Sequence, residues 1–365
     1  MEGQRQQRSA GERPMVSDEL LQLDNTPERI DDEKLRDLRT RRLVMSSASE
    51  KARPPEPQEL ESGTWEFDLG DDLIVGHVGD EGEAIDVPDR ETRSESELDP
   101  YLPDGDGVTY HPKIGTDRIH EPLVRRKGQI VTPHYVFGPD DRVVYYPSGY
   151  PWRCIGKIFA WTNPSGGPAW SGAGALVGRN VVLTASHVCP WGASPWMMQF
   201  IPGAWDGSST VGSGVLSYVQ SYRGYREHGQ GDDMAVLKLY TALGDSLGYL
   251  GYKTYNDDWE GGNYWTKCGY PGAITGGQRP SRIQWYPIVD DDSDGSGIEL
   301  EYKADSTSGD SGGPVFGWWS GSPYVIGTHS GGEEEYHFPW YIVKNNVAAG
   351  GGALSSLIAW ARSNW

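Results

Sequence analysis

The chain has 365 residues, with 49 glycines, 15 tryptophans, 20 tyrosines and a formal net charge of −20. This length allows two domains, or one large domain with an appendage. The acidic charge argues against a basic surface for nucleic acid, and no apolar run reaches the roughly 18 residues that a membrane-spanning helix needs. We therefore expect neither a nucleic-acid partner nor a membrane partner.

The first 130 residues are predicted to be an acidic N-terminal extension that is only partly ordered. Residues 51–110 hold 18 acidic and 4 basic residues, and a segment with so few aliphatic side chains cannot form a packed core. Residues 1–20 are expected to be disordered, and a short charged helix is predicted to begin at Thr26, whose hydroxyl can cap it. No signal peptide is recognisable, because MEGQRQQRSAGERPMV lacks an apolar segment.

Residues 131–365 are predicted to form an all-β body that is closed by a helix. Runs such as VVLTASHVC and GGPVFGWW are rich in β-branched and aromatic residues, and Gly, Pro, Asn and Asp separate them at close spacing. This pattern is typical of a β-sandwich or β-barrel. Near the end, the sequence ALSSLIAWAR predicts a helix with one apolar face, which consists of Leu354, Leu357, Ile358 and Ala361.

Three short motifs hold the groups that activate a serine. VVLTASHVC places His187 after a strand, GDDMAVLKL places Asp233 before one, and SGDSGGPVF contains Ser311. A serine hydroxyl is a poor nucleophile near neutral pH, so it needs a base within hydrogen-bond reach and an acid that orients the base. The order His, Asp, Ser is that of chymotrypsin-type enzymes. Asp232 remains an alternative to Asp233.

The three motifs resemble those of chymotrypsin-like serine peptidases over roughly residues 135–365, and GDSGGP matches the serine motif of that family. The resemblance implies a double six-stranded antiparallel β-barrel, with barrels at about 145–245 and 246–350 and a C-terminal helix at about 353–362. It also implies a serine endopeptidase that acts on polypeptides, and an extracellular location.

The same resemblance implies a role for each residue of the motifs. Ser311 would attack the scissile carbonyl, His187 would transfer the proton, and Asp233 would fix the histidine tautomer. The backbone N–H groups of Gly309 and Ser311 would bind the oxyanion. The rival interpretation is a catalytically silent homologue that only binds peptides.

GDSGG also satisfies G-x-S-x-G, the nucleophile motif of α/β-hydrolases. That fold needs an acid and then a histidine after the serine, together with alternating helices and strands. No such alternation precedes Ser311, and the residues after it are too few, so we reject this interpretation.

The residues of the expected specificity pocket leave two substrate preferences open. Asp305 lies where trypsin-like members carry the acid that selects Lys or Arg. VIGTHSGG, however, resembles a strand of glutamyl endopeptidases, in which a histidine, here His329, pairs with a substrate carboxylate, and Ser306 falls where that branch carries a hydroxyl. VFGPDDRVVYYPSGYPWRCIGKI and CGYPG also resemble segments of that branch. We therefore favour cleavage after Glu, with Asp weaker, and count Ser330 among the substrate-binding residues.

Asp310 and the front segment raise the question of activation. In trypsin-like zymogens the acid before the serine pairs with a newly freed amino terminus. Asp310 could do the same, or it could be a solvated turn residue. Residues 1–130 are interpreted as a propeptide that inhibits the enzyme, with a cut expected between 126 and 137.

Disulfide, metal and cofactor sites are not strongly indicated. Three cysteines are too few for a disulfide scaffold, although Cys154 and Cys189 are a candidate pair. Residues 289–297, VDDDSDGSG, are acidic but lack the spacing of an EF-hand, so we expect a solvated loop. No cofactor is expected.

Overall fold

The computed structural model describes residues 13–27, 30, 32–39, 44–46, 58–61, 64–66, 83–84, 97–115, 134–163, 167–193, 196–226, 229–337 and 341–365. Within these residues, two β-sheets form the body and one long helix packs against strands of both. None of the described helices is long and apolar enough to cross a membrane.

Short elements precede the body. They are α1 (Ser17–Leu20), α2 (Asp32–Arg39), β1 (Val44–Ser46), β2 (Gln58–Glu61), β3 (Thr64–Glu66), β4 (Glu83–Ala84), β5 (Glu97–Leu98) and β6 (Val143–Val144). Strands β1 to β3 form a small sheet of their own, whereas β4, β5 and β6 join the edges of the two large sheets.

Six strands close into an antiparallel barrel. They are β7 (Ile155–Trp161), β8 (Trp170–Leu176), β9 (Val181–Thr184), β10 (Met197–Pro202), β13 (Ser217–Gly224) and β14 (Ala235–Leu239). Their order is β10-β7-β8-β9-β14-β13, and a pairing between β10 and β13 closes the ring. The hairpin β11 (Ala204–Trp205) and β12 (Ser208–Ser209) follows β10. Side chains that alternate inward fill such a barrel as a core.

The second large sheet follows in sequence. Its strands are β15 (Gly251–Lys253), β16 (Trp265–Gly269), β17 (Ser281–Tyr286), β18 (Ile288–Asp294), β19 (Gly297–Tyr302), β20 (Pro314–Trp319), β21 (Ser322–His337) and β22 (Tyr341–Gly350). The order is β18-β19-β22-β21-β20-β16-β17-β6, with β15 beside β21. The helices of the body are α3 (Leu243–Leu247), α4 (Gly272–Thr275) and α5 (Gly351–Asn364).

The predicted all-β fold with a C-terminal helix is confirmed. The apolar face of α5 is buried, as its sequence pattern predicts: Leu354, Leu357, Ile358 and Ala361 are each at most 2% exposed. The acidic segment 289–297 is not the solvated loop that the sequence suggests. It forms most of β18 and the tight turn into β19.

The front of the chain differs from the expectation in two places. Residues 13–20 pack on the body, since Leu20 is 1% exposed and the Met15 N–H donates to the Trp318 carbonyl. The helix begins at Asp32 and not near Thr26. The Thr26 hydroxyl instead accepts a hydrogen bond from the backbone of Val108, so a tertiary contact replaces the local cap.

Residues 97–115 contribute to the core of the body. The Asp106 carboxylate forms a buried ion pair with Arg153, and the Trp152 indole donates to the Thr109 carbonyl at 2.5 Å. A buried guanidinium requires a partner of this kind. The acidic front segment therefore neutralises a buried charge directly before β7.

The cysteines form no disulfide. The Cys154 thiol donates to the carbonyls of Leu247 and Gly248, each at 3.2 Å, and it does not bond to Cys189. The candidate pair suggested by the sequence is thus not formed.

Candidate active site

His187 and Asp233 meet because their strands are neighbours. Strand β9 is buried along its length, and the chain then turns through the short 3₁₀ helix Ser186–Val188. Asp233 lies two residues before β14, which pairs with β9 in antiparallel register. The His187 ring Nδ1 is 2.6 Å from Asp233 Oδ2, and the His187 backbone N–H donates to Oδ1 at 2.9 Å.

This contact fixes the chemistry of the ring. Asp233 is 1% exposed, so its carboxylate acts at short range with little screening. Burial alone lowers the pKa of His187, but the charge and hydrogen bond of Asp233 outweigh it and raise the pKa above its ordinary value. With Nδ1–H donated to the carboxylate, Nε2 keeps a lone pair that can accept a proton.

Asp232, the alternative acid, points elsewhere. Its Oδ1 accepts from the Gly229 N–H at 2.8 Å, and its Oδ2 accepts from the Ser296 N–H at 3.2 Å. The geometry therefore selects Asp233 as the partner of His187.

The Ser311 loop lies against the end of β9. The Ser311 carbonyl accepts from the Ala173 N–H at 2.7 Å. A Cβ atom on Gly312 would lie 2.1 Å from the Thr184 hydroxyl and 3.0 Å from the Ala185 nitrogen, so only glycine permits this approach. Ser311 is 7% exposed, and no hydrogen bond joins its hydroxyl to His187. Such bonds often tighten only when a substrate binds.

Ser330 links the two sheets at Asp233. It lies in β21 of the second sheet, and its hydroxyl donates to Asp233 Oδ2 at 2.6 Å. Ser330, which the sequence suggests as a substrate-binding residue, is thus directed at Asp233. Ser330 holds the same oxygen that faces the His187 ring.

The Gly309–Ser311 turn presents two backbone donors. Gly309 has φ = +103°, and a Cβ atom there would lie 2.2 Å from the Tyr270 carbonyl oxygen. Within the described parts of the chain, the N–H groups of Gly309 and Ser311 bond to no protein acceptor. They can therefore donate to an oxyanion.

His329 lies at the base of a neighbouring polar cluster. Its Nδ1 is 2.7 Å from the Tyr302 hydroxyl and 3.1 Å from the Val347 carbonyl. Its Nε2 is 2.5 Å from the Ser306 hydroxyl and 3.2 Å from His134 Nδ1. Burial, together with nearby cations, lowers the pKa of His329 well below its ordinary value. The ring is therefore neutral in the chain as it stands.

Asp305 does not present its carboxylate to a ligand. Its Oδ1 accepts from the Phe137 N–H at 2.7 Å, and its Oδ2 accepts from the Asp141 N–H at 3.0 Å. The side chain is 2% exposed. Asp305 fixes the chain segment before the first barrel, so it is not placed as the acid that selects Lys or Arg.

Sequence reasoning missed three residues of this region: His134, Arg142 and Lys267. His134 contacts His329, while Arg142 and Lys267 approach the Asp310 carboxylate. A signal was present for two of them, because both His134 and Arg142 lie in or beside the segment VFGPDDR, which resembles glutamyl endopeptidases. Lys267 is an isolated lysine in a strand and gives no such signal.

One group of acidic side chains could hold a metal ion, and it lies outside the residues named above. The acidic group that the described residues bring within mutual ligand distance is Glu299, Glu301 and Glu333. Exposed or half-buried acids often cluster without an ion, and the chemistry above does not need one.

Comparison with known proteins places the chain in a family. The sequence profile of the Trypsin family matches residues 150–346. The glutamyl endopeptidase of Bacillus licheniformis is 29% identical over 251 residues, which cover 60% of this chain and 72% of that protein. The extracellular metalloprotease of Bacillus subtilis is 25% identical over 268 residues, or 71% of this chain and 81% of that protein.

A solved structure of a Glu endopeptidase in complex with MPD is also similar. It is 19% identical, covers 63% of this chain and 100% of its own, and superposes with a TM-score of 0.49.

We expect His187 to titrate above its ordinary pKa of about 6.5, because the Asp233 carboxylate favours the charged ring. Asp233→Asn removes that charge, so the pKa should fall. The measurement is NMR titration of the imidazole resonances. Asp232→Asn is the matched control and should leave the His187 titration unchanged. An equal shift in both variants would contradict the assignment.

Proposed function

The chain belongs to the trypsin family of serine endopeptidases, and we propose that it hydrolyses peptide bonds through His187, Asp233 and Ser311. The observation that carries the proposal is the 2.6 Å contact between His187 Nδ1 and Asp233 Oδ2 beside the Ser311 loop. The contact orients the half-buried imidazole of His187, and its Nε2 keeps the lone pair that a general base needs.

The reaction then follows from the roles of the three side chains. His187 Nε2 takes the proton of Ser311 as its oxygen attacks the scissile carbonyl, and Asp233 stabilises the resulting imidazolium. The N–H groups of Gly309 and Ser311 donate to the carbonyl oxygen as it becomes negative. The imidazolium protonates the leaving amine, and water then hydrolyses the acyl-enzyme by the same steps in reverse order.

A fluorophosphonate probe should label the chain covalently at Ser311. Ser311→Ala should abolish labelling, because the nucleophilic oxygen is removed. Ser308→Ala is the matched control, since Ser308 is an exposed serine of the same loop, and it should label like the parent. The readout is in-gel fluorescence with mass spectrometry of the modified peptide. Absence of labelling in a folded parent would favour the catalytically silent homologue.

We further propose that the enzyme prefers Glu, and Asp more weakly, before the scissile bond. A substrate carboxylate at His329 Nε2 would accept from that nitrogen and from the Ser306 hydroxyl, in place of His134. The Val347 carbonyl, 3.1 Å from Nδ1, can only accept a hydrogen bond, so donation from Nε2 as well requires the charged imidazolium, which a bound carboxylate favours. The Asp305 carboxylate is already bonded to the backbone N–H groups of Phe137 and Asp141, which argues against a preference for Lys or Arg. The Bacillus licheniformis relative is named a glutamyl endopeptidase, which supports the preference for Glu.

A peptide panel that varies the residue before the scissile bond should show the highest kcat/KM for Glu. His329→Gln should lower kcat/KM for the Glu peptide roughly 10- to 150-fold, which corresponds to one hydrogen bond to a charged group. Asp305→Asn should leave the order of preference unchanged. If Lys or Arg peptides outperform Glu peptides in the parent, the role given to His329 is wrong.

The N-terminal extension is proposed to inhibit the uncut chain by holding His134, which directly follows it, beside His329. His134 lies in the segment that enters the pocket, and its imidazole occupies a position beside His329 Nε2 that a substrate carboxylate would take. Burial lowers the pKa of His134 to about 4, so the ring is neutral there. In this proposal residues 1–130 form the extension and residues 131–365 the peptidase domain, and a cut lies between 126 and 137.

Mass spectrometry of active material should therefore find an N-terminus between residues 126 and 137. In the uncut chain, His134→Ala should raise the rate on Glu peptides, because it empties the carboxylate position. Tyr135→Phe is the control and should not, since the backbone contacts of Tyr135 with Asn346 remain. Full activity of a chain that still begins at Met1 would refute the inhibitory role.

A further inference from the structure

The carboxylate of Asp310, the residue before Ser311, is buried in a cluster of charges. Asp310 is 1% exposed, and its Oδ2 lies 2.9 Å from Arg142 Nη1 and 3.5 Å from Lys267 Nζ. The same oxygen accepts from the Thr307 N–H at 3.1 Å. Burial alone raises the pKa of Asp310, but the two cations outweigh it and lower the pKa below its ordinary value. Asp310 is therefore ionised and is not a solvated turn residue.

Arg142 makes the shorter contact of the two cationic partners. Its side chain is 1% exposed, and it also donates to the Thr307 hydroxyl at 2.9 Å and to the Asp140 carboxylate at 2.8 Å. A guanidinium remains charged at any pH that the protein tolerates. Lys267 donates mainly to the Asp305 carbonyl, at 2.6 Å, and burial lowers its pKa to about 8.

The position of the Asp310 carboxylate fixes the turn that carries the proposed oxyanion donors. The backbone N–H of Asp310 donates to the Thr307 carbonyl, and the Asp310 carbonyl accepts from the Gly313 N–H. Its Oδ1 packs on Gly269, where a Cβ atom would lie 2.2 Å away. If the carboxylate lost its cation it would move toward water, and the turn from Thr307 to Gly313 would move with it.

We infer that Arg142 is a positioning residue for catalysis, and that it takes the place which a freed amino terminus takes in trypsin-like zymogens. The inference rests on the proposed function, because it concerns the Gly309 and Ser311 donors of the same site. The ion pair between Arg142 and Asp310 is already formed in the continuous chain. A cut before residue 138 is therefore not needed to build the oxyanion site.

The same ion pair supports the specificity pocket. The Ser306 hydroxyl lies 3.2 Å from Asp310 Oδ2 and 2.5 Å from His329 Nε2. Arg142 thus orders the oxyanion turn and one wall of the pocket through a single carboxylate. Activation by a cut would then act on the occupant of the pocket, His134, and not on the machinery around Ser311.

The test measures the rate of fluorophosphonate labelling of the full chain. A small fluorophosphonate does not need the specificity pocket, so the uncut parent should react at Ser311. Arg142→Gln should slow labelling about 10²- to 10³-fold, the effect of losing an oxyanion donor. Arg142→Lys should recover much of the rate, because an ammonium keeps the charge. A role in packing alone would not be restored by lysine in this way.

Two further variants keep the result interpretable. Asp140→Asn removes another partner of Arg142 without touching Asp310, and it should label within about threefold of the parent. If Arg142→Gln does not fold, the neutral double variant Arg142→Met/Asp310→Asn replaces it, and it should be folded but slow. Thermal unfolding confirms the folded state of each variant.

The outcomes separate this inference from the proposed function. If the folded parent and Ser311→Ala both fail to label, the proposed function fails. If the parent labels and a folded Arg142→Gln variant, or the folded neutral double variant, labels within threefold of it, only the role of Arg142 is overturned. Labelling of the parent that appears only after a cut between 126 and 137 also overturns it, since the site would then depend on that cut.

Discussion

The Asp233 carboxylate is the point at which the two sheets of this molecule depend on each other. One of its oxygens accepts from the His187 ring at 2.6 Å and from the Ser330 hydroxyl at 2.6 Å. His187 and Asp233 belong to the first barrel and Ser330 to the second sheet. A carboxylate that is 1% exposed needs such donors to remain charged. The carboxylate that orients the candidate base is thus held in part by a contact, from Ser330, that exists only when both sheets are assembled.

A second buried carboxylate organises the other half of the site. Asp310 is held by Arg142 and Lys267, and through Ser306 it reaches the ring of His329. Breaking one partner of a buried ion pair is far more costly than the net value of the pair, because the remaining charge is stranded. The arrangement therefore keeps the serine turn in one conformation, which supports the proposed reaction without adding a catalytic group.

The front of the chain contacts the body in two different ways. In the segment that contains Asp106, the Asp106 carboxylate neutralises the buried Arg153, and the Thr109 carbonyl accepts a hydrogen bond from the Trp152 indole. These contacts stabilise the fold. The segment that contains His134 lies beside His329, and in our proposal it opposes substrate binding. A cut between the two segments would separate these effects, because the first segment has its own contacts with the barrel and does not depend on the second.

The sequence by itself determined the β architecture and the C-terminal helix, and it identified His187 and Ser311 as site candidates, with Asp233 ahead of Asp232. Short-range patterns predict these features: the alternation of apolar residues predicts strands, and the GDSGGP motif predicts the serine turn. Its Gly309 adopts φ = +103° in the structure. The pairing of β9 with β14 then brought Asp233, and not the alternative Asp232, against His187. Tertiary structure likewise decided that Asp305 and Ser330 turn away from the pocket. It also decided the contacts of Arg142, Lys267 and His134. These contacts join residues far apart in the chain, and the direction of a side chain depends on strand register and on the nearest partner in space, which no local pattern encodes.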